Sequence, residues 1–226
     1  MRLWDTEELT IITRGTPGVG KNVEGTCCCI ADDETVVTGW NDGFIRCYEM
    51  SKNTFSAMQW EIANAHKGAV STVYADANYV LSGGEDALVR VWSRQVRKLT
   101  YQIAIHIKRV TQVFPDILKT NIIHSCSIDK TVHSYDLKKS KKVMFHTHHN
   151  GQILDMSQRV DHEQELVTCG KNMPILFWDC DIVDPVDKIE YPYMLLTCAV
   201  SPSGKYLAAG SETAEVLPQS ALANLY

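Results

Sequence analysis

Five short segments, MRLWD, GFIRCYE, LVRVWSR, TVHSYDL and PILFWDC, place an aromatic residue at Trp4, Tyr48, Trp92, Tyr135 and Trp178. The intervals are 44, 44, 43 and 43 residues. A period held this closely marks an array of one repeated unit, and it limits the fold more than any local propensity does.

The interior of a unit is read most easily between Ala69 and His106. AVSTVYAD alternates as a strand, and NYVLSGGED is a second strand ending in a turn. ALVRVWSR is a third strand and KLTYQIAI a fourth. Four short β-rich runs per unit, separated by turn residues, describe a four-stranded propeller blade. Helical periodicity is weak throughout, which disfavours stacked helix pairs. The expected fold class is therefore all-β, a single propeller region over 1–226. Complete units span approximately 23–62, 66–102, 106–146 and 149–190, with partial units at 1–14 and 194–226.

The units resemble the WD-repeat family, whose repeats begin near Gly-His and end in Trp-Asp. The resemblance covers nearly the whole chain. It implies a hydrogen-bonded group of His, Ser or Thr, Asp and Trp within each blade. His66, Ser82, Asp86 and Trp92 take these places in the third unit, and His106, Ser125, Asp129 and Tyr135 in the fourth. In the fifth they are His149, Thr168, Asn172 and Trp178, with Asn for Asp. The second has Thr38, Asp42 and Tyr48 but no preceding His. An Asp in a tight turn needs donors, which the imidazole, hydroxyl and backbone amides supply. A His–Asp–Ser set that recurs once per blade is a structural device and not a hydrolytic triad, which an enzyme needs only once.

The last unit supplies two strands in LLTCAVSPSGKYLAAGS and then loses the pattern. Ala209 stands where Ser or Thr belongs, Thr213 where Asp belongs, and the Trp position falls in LPQSALANLY. Four complete and two partial blades fit either a piece of a larger propeller, the favoured expectation, or a closed five-bladed ring.

Composition narrows the function. With 22% charged and 45% hydrophobic residues the chain can bury a core. A net charge of −5 gives no reason to expect nucleic-acid or membrane binding. No apolar run approaches the ~20 residues of a membrane helix, and no secretory leader is evident, so the expected location is cytoplasmic. Eight cysteines without a C-x-x-C pattern read as reduced, mostly buried thiols. Consecutive Cys27, Cys28 and Cys29 are poorly placed to share a metal, because neighbouring strand residues face opposite ways. GTPGVGKN fits G-x-x-x-x-G-K, but Asn22 replaces the required hydroxyl and strands follow instead of a helix, so no nucleotide is expected. HTHHN offers His146, His148 and His149 without a carboxylate or thiol partner, and no metal is expected. No cofactor and no small-molecule substrate is expected.

Two features point to protein partners. Trp40, in TGWNDG, lies on the turn between the second and third strands, where the equivalents are Gly84 and Ser127. It either anchors a partner from an exposed loop face or packs against the adjoining loop. Arg94, Arg97 and Lys98 in RQVRK, and Lys138, Lys139, Lys141 and Lys142 in KKSKK, fall in the third-to-fourth-strand turns of adjacent blades. Lys52 adds to them from the second blade, whereas the fifth-blade turn, DCDIVDPVD, is acidic. These are either a basic strip for an acidic partner or ordinary solvated turns. TGWNDGFIRCYE, NAHKGAVSTV and LSGGEDALVRVWSR in succession resemble cilia- and flagella-associated WD-repeat proteins of doublet microtubules. That narrower resemblance implies a non-enzymatic axonemal scaffold with tubulin among its partners. The alternative it leaves is a general adaptor of the signalling or ubiquitin-ligase type.

Overall fold

The computed structural model describes residues 2–4, 11–14, 20–51, 54–159 and 165–213. These residues are entirely strand, turn and loop. The chain divides into two compact units, 1–103 and 104–226.

The first unit opens with an antiparallel pair, β1 (Arg2–Trp4) and β2 (Ile11–Arg14). One four-stranded antiparallel sheet follows from β3 (Gly25–Asp32), β4 (Thr35–Trp40), β5 (Ile45–Ser51) and β6 (Thr54–Ile62). A second contains β7 (Val70–Ala75), β8 (Tyr79–Gly84), β9 (Val89–Ser93) and β10 (Lys98–Ile103). In the second unit β11 (Val110–Pro115), β12 (Ile122–Ser127), β13 (Val132–Asp136) and β14 (Lys141–His146) form one sheet. The next comprises β15 (Gln152–Gln158), β16 (Glu165–Lys171), β17 (Ile175–Asp179) and β18 (Asp187–Ile189). The last described pair is β19 (Leu195–Val200) with β20 (Leu207–Ser211). Every sheet runs in simple up-and-down order, so each four-stranded sheet is one propeller blade.

Burial within a blade follows strand order. The second strands β4, β8 and β12 are buried at five of six positions. The fourth strands β10 and β14 are exposed at four of six. A central strand has neighbours at both edges and packed sheets on both faces, whereas an outer strand has one neighbour. The core lies between successive blades. In the first unit Val37, Ile45 and Cys47 pack against Val70, Val73 and Trp92. In the second, Cys126 and Val132 meet Ile153, Met156 and Trp178, while Val167 and Phe177 meet Leu195 and Cys198. Each fully buried aliphatic chain contributes about 1.5–3 kcal/mol relative to exposure.

Two local devices recur at the repeat spacing. An Asp starts the turn between first and second strands: Asp32 accepts the Glu34 amide, Asp76 those of Asn78 and Tyr79, and Asp116 those of Leu118 and Lys119. This is the Asx turn, in which a short carboxylate replaces backbone acceptors. The second device is a β-bulge between first and second strands, at Gly25/Cys27, Val70/Thr72, Val110/Gln112, Ile153/Asp155 and Leu195/Thr197. The bulge frees side chains to reach the next blade. Thr26 donates to the Val70 carbonyl, and Thr111 donates to that of Ile153 at 3.1 Å. Asp155 continues the stitch by accepting the Gln112 amide at 3.1 Å and the Cys198 amide at 3.0 Å.

Candidate functional site

The third blade contains a complete four-residue group. His66 lies four residues before β7, and its Nδ1 and Nε2 stand 2.8 Å from Asp86 Oδ1 and 2.8 Å from Ser82 Oγ. The Trp92 indole N–H donates to the same hydroxyl at 2.9 Å. Arg90 adds a 2.8 Å bond to Asp86 Oδ2. Burial alone would raise the Asp86 carboxyl, but its bonds from Arg90 and His66 prevail and hold it at about 2. Burial pushes the His66 imidazole below its usual range. Both ring nitrogens, the hydroxyl and the carboxylate thus have partners within the blade.

A Cβ on Gly84 would stand 2.3 Å from His66 Nδ1 and 2.9 Å from Asp86 Oδ1. Gly84→Ala is therefore expected to drive His66 off the aspartate and lower stability by about 1–3 kcal/mol, the cost of a buried polar group left unmatched. Urea denaturation followed by circular dichroism measures this; an unchanged midpoint would mean that His66 rotates away freely.

The fourth blade keeps His106, with Nδ1 3.1 Å from Asp129 Oδ2 and Nε2 2.9 Å from Ser125 Oγ. Thr131 joins at 3.0 Å from Nδ1. Tyr135 is half-buried and has no ring N–H to donate to Ser125. In the fifth blade His149 Nε2 lies 3.1 Å from Thr168 Oγ1, and Trp178 donates to that hydroxyl at 2.9 Å. Asn172 does not complete this set, and His149 Nδ1 is left without a hydrogen bond among the described residues. The reason is local. In the other blades the left-handed residue of this turn is Gly43, Ala87 or Lys130, one place after the aspartate. Here Met173 follows, and Asn172 takes the left-handed conformation itself, with φ 56°. Asn tolerates that region better than a bulky chain does.

The second blade solves the same problem without histidine. Lys21 stands four residues before the first-strand bulge at Gly25, as His66, His106 and His149 stand before those at Val70, Val110 and Ile153. The lysine of the phosphate-loop lookalike is thus the exposed counterpart of a blade histidine, and β3 follows it at Gly25. Gly15–Gly18 and Val19 of that motif lie outside the described residues. Trp40 occupies the vacated space. It is 3% exposed, packs with Val36 and Tyr48, and donates its indole N–H to Thr38 at 2.7 Å. Arg46 grips Asp42 through two bonds, 3.1 and 2.7 Å long, with its guanidinium carbon 5.3 Å from the Trp40 ring centre. The exposed-anchor expectation for Trp40 is therefore corrected: the ring is an interior substitute for a missing imidazole.

The basic residues separate into two kinds. Arg94 donates to Asp32 at 2.6 Å, to Thr35 at 2.5 Å and to the Asp76 carbonyl at 2.9 Å. It is an internal tie and does not belong to an exposed strip. Arg97, with φ 58°, and Lys98 are exposed on their own turn in the first unit. In the second, Lys138 and Lys139 on the turn from β13 to β14 and Lys141 and Lys142 at the start of β14 are all exposed. Lys139 lies 3.7 Å from Asp136, and Lys142 sits 4.0 Å above the Phe145 ring. Lys52 lies outside the described residues.

The histidines of HTHHN diverge. His146 approaches the Val183 carbonyl at 3.4 Å, His148 contacts Asp184 at 2.5 Å, and His149 belongs to its blade. No group able to hold a metal is present among the described residues. The cysteines are all unpaired, with Cys47, Cys126, Cys169 and Cys198 buried. Burial pushes the Cys27 and Cys47 thiols up to about 11, which makes them poor nucleophiles.

Sequence had missed one buried set. His124 Nδ1 lies 2.9 Å from Ser134 Oγ and Nε2 lies 3.0 Å from Asp116 Oδ2, with Gln158 donating to the same carboxylate oxygen at 3.1 Å. All four side chains are buried. Its order mimics a hydrolytic triad, but Gln158 comes from the next blade, so the set ties two blades together. The alternation of β12 and β13 was the available signal.

Comparison with known proteins agrees with this geometry. The model of the WD domain, G-beta repeat, matches residues 59–93. The chain is 24% identical over 196 residues to apoptotic protease-activating factor 1 of Rattus norvegicus, covering 84% of this chain and 15% of that protein. It is 26% identical over 171 residues to the serine-threonine kinase receptor-associated protein of Homo sapiens, covering 70% and 47%. It is 28% identical over 160 residues to cilia- and flagella-associated protein 52 of Sus scrofa, covering 66% and 24%. The chain thus spans less than half the length of each of these relatives. Its repeat period, its four-stranded blades and these matches make the chain similar to WD-repeat proteins, with one WD repeat matched over residues 59–93.

Proposed function

We propose that this chain is part of a ciliary scaffold that attaches to an acidic surface, such as the tubulin lattice, through the turn carrying Lys138, Lys139, Lys141 and Lys142. WD-repeat proteins serve as scaffolds or adaptors, and no closed histidine network described above offers an activated nucleophile. The observation that carries the reading is the exposed lysine cluster on a chain whose net charge is −5. Similarity to cilia- and flagella-associated protein 52 supports the ciliary setting.

Salt-washed axonemes from ciliated cells provide the test. The wild-type protein is expected in the axonemal fraction at low ionic strength and to be released as salt rises, because exposed charges are screened beyond about 8–10 Å near physiological salt. Reversing all four lysines to glutamate is expected to reduce retention at least tenfold. Retention unchanged by the reversal would remove the lysine turn from the mechanism.

A second reading, an adaptor, is favoured by a groove of about 650 Å3 in the second unit. Its walls include Lys171, Pro174, Pro185, Tyr191, Pro192 and Tyr193. Aromatic and proline side chains beside isolated charges suit a protein segment better than a metabolite. Recovery of the protein wholly in the soluble fraction would favour this groove over the lysine turn.

A further inference from the structure

We propose that the outer edge of β14 receives an extended acidic segment of a partner protein, which adds to the fourth blade as a fifth strand. The proposal rests on the reading of the lysine turn as an attachment point and gives that point a structural mode.

Among the described strands β14 pairs only with β13, so its other edge carries backbone N–H and C=O groups with no strand partner. Opposite Ser134 and Tyr135 the pairing of β14 shifts register and passes over Val143, so the strand carries a bulge there. Met144 is half-buried and His146 fully buried, the latter with its ring 4.8 Å from that of Trp178. Lys141, Lys142, Val143 and Phe145 are exposed, Val143 by 50% and Phe145 by 43%. At the strand's end His146 reaches the Val183 carbonyl, so Lys141–Phe145 is the stretch left clear.

Charge selects the occupant. Four lysines fall within Lys138–Lys142; among the described residues only Lys139 lies within ion-pair distance of a carboxylate, while Lys141 stands opposite Asp136 on β13. Lysine on an edge strand ordinarily keeps identical edges apart, since like charges then face one another. The same lysines attract a strand of opposite sign. An incoming segment with alternating carboxylates and apolar residues would satisfy the edge amides, meet Lys141 and Lys142, and cover Val143 and Phe145. The other outer strands are less suited. β18 has three residues and follows a loop carrying Asp181 and Asp184. β10 carries Lys98, with Arg97 before it, and no further cation.

The probe is a fluorescein-labelled eight-residue peptide of alternating glutamate and valine, titrated against the whole chain and followed by anisotropy. Binding is expected to weaken at least tenfold on replacing Lys138, Lys141 and Lys142 by glutamine. It is also expected to vanish when the two central valines of the peptide become proline, which leaves the charge unchanged but removes N–H groups. Hydrogen exchange at amides within Lys141–Phe145 should slow at least tenfold on saturation, with β10 unaffected. Equal binding of the proline peptide, or unchanged exchange in β14, would overturn strand addition. If axonemal retention still depended on the lysines, only the mode would fail; if it did not, the attachment reading would fail with it.

Discussion

Trp40→Ala is expected to destabilise the first unit by about 3–5 kcal/mol, the usual cost of deleting a buried indole. That is a large share of the roughly 5–15 kcal/mol that holds a typical domain together. Three losses combine. The ring leaves a void between Val36 and Tyr48, Thr38 loses its indole donor, and Arg46 loses its cation–π neighbour. The effect would be read as a lower urea midpoint by far-UV circular dichroism, since the chain has five tryptophans and fluorescence would mix their signals. A variant that kept its midpoint but lost a binding partner would restore Trp40 as an anchor.

Acid should unfold the second unit earlier than its carboxylates alone would allow. Burial, reinforced by neighbouring His106, pushes the His133 imidazole down to about 3. Burial, together with His146 and His148, does the same to His149. In the unfolded chain both titrate near 6.5. The folded form thus keeps them neutral while the unfolded form takes up protons. Their contribution is complete above pH 6.5 and is lost as pH falls towards 3. Each steepens the loss by about 1.4 kcal/mol per pH unit, so the pair removes roughly 5 kcal/mol between pH 6 and 4. Asp86 acts in the same direction in the first unit, but only as pH falls from about 4 towards about 2. Urea midpoints at pH 7.5, 6, 5 and 4 should decline in this way, with His133→Gln flattening the slope by about half. A midpoint constant from pH 7 to 5 would show that these imidazoles gain partners on protonation.

The blades were legible because their signal is local and repeated. Alternation over six residues, a turn residue and an aromatic at fixed spacing suffice to place β7 to β10 to within a residue or two. The histidine groups were legible for the same reason, since each residue type falls at a constant offset. Side chains whose partners lie elsewhere were not. Arg94 looked like one cation among several because Asp32 is 62 residues away. Asn172 looked like an ordinary replacement for aspartate because its residue type does not reveal that it takes the left-handed conformation itself. The recurring bulges leave no compositional trace, since Thr26, Ser71 and Thr111 are unremarkable strand residues. Trp40 could have been placed from sequence by volume. A unit lacking the loop histidine, but carrying the largest side chain where its siblings have glycine or serine, has exchanged one ring for another.

That exchange makes positions 21 and 40 epistatic. In the third blade the His66 imidazole leaves no room for a Cβ at Gly84, and in the fourth, which has His106, the equivalent position holds nothing larger than Ser127. The second blade shows the reverse solution, with the ring carried by the strand and the loop left open. Moving from one to the other by single substitutions must pass through either a void or a collision, each costly alone and harmless together. The two solutions are therefore separate basins in sequence space. A blade, once committed to the tryptophan form, is held there by sterics whatever surface it serves.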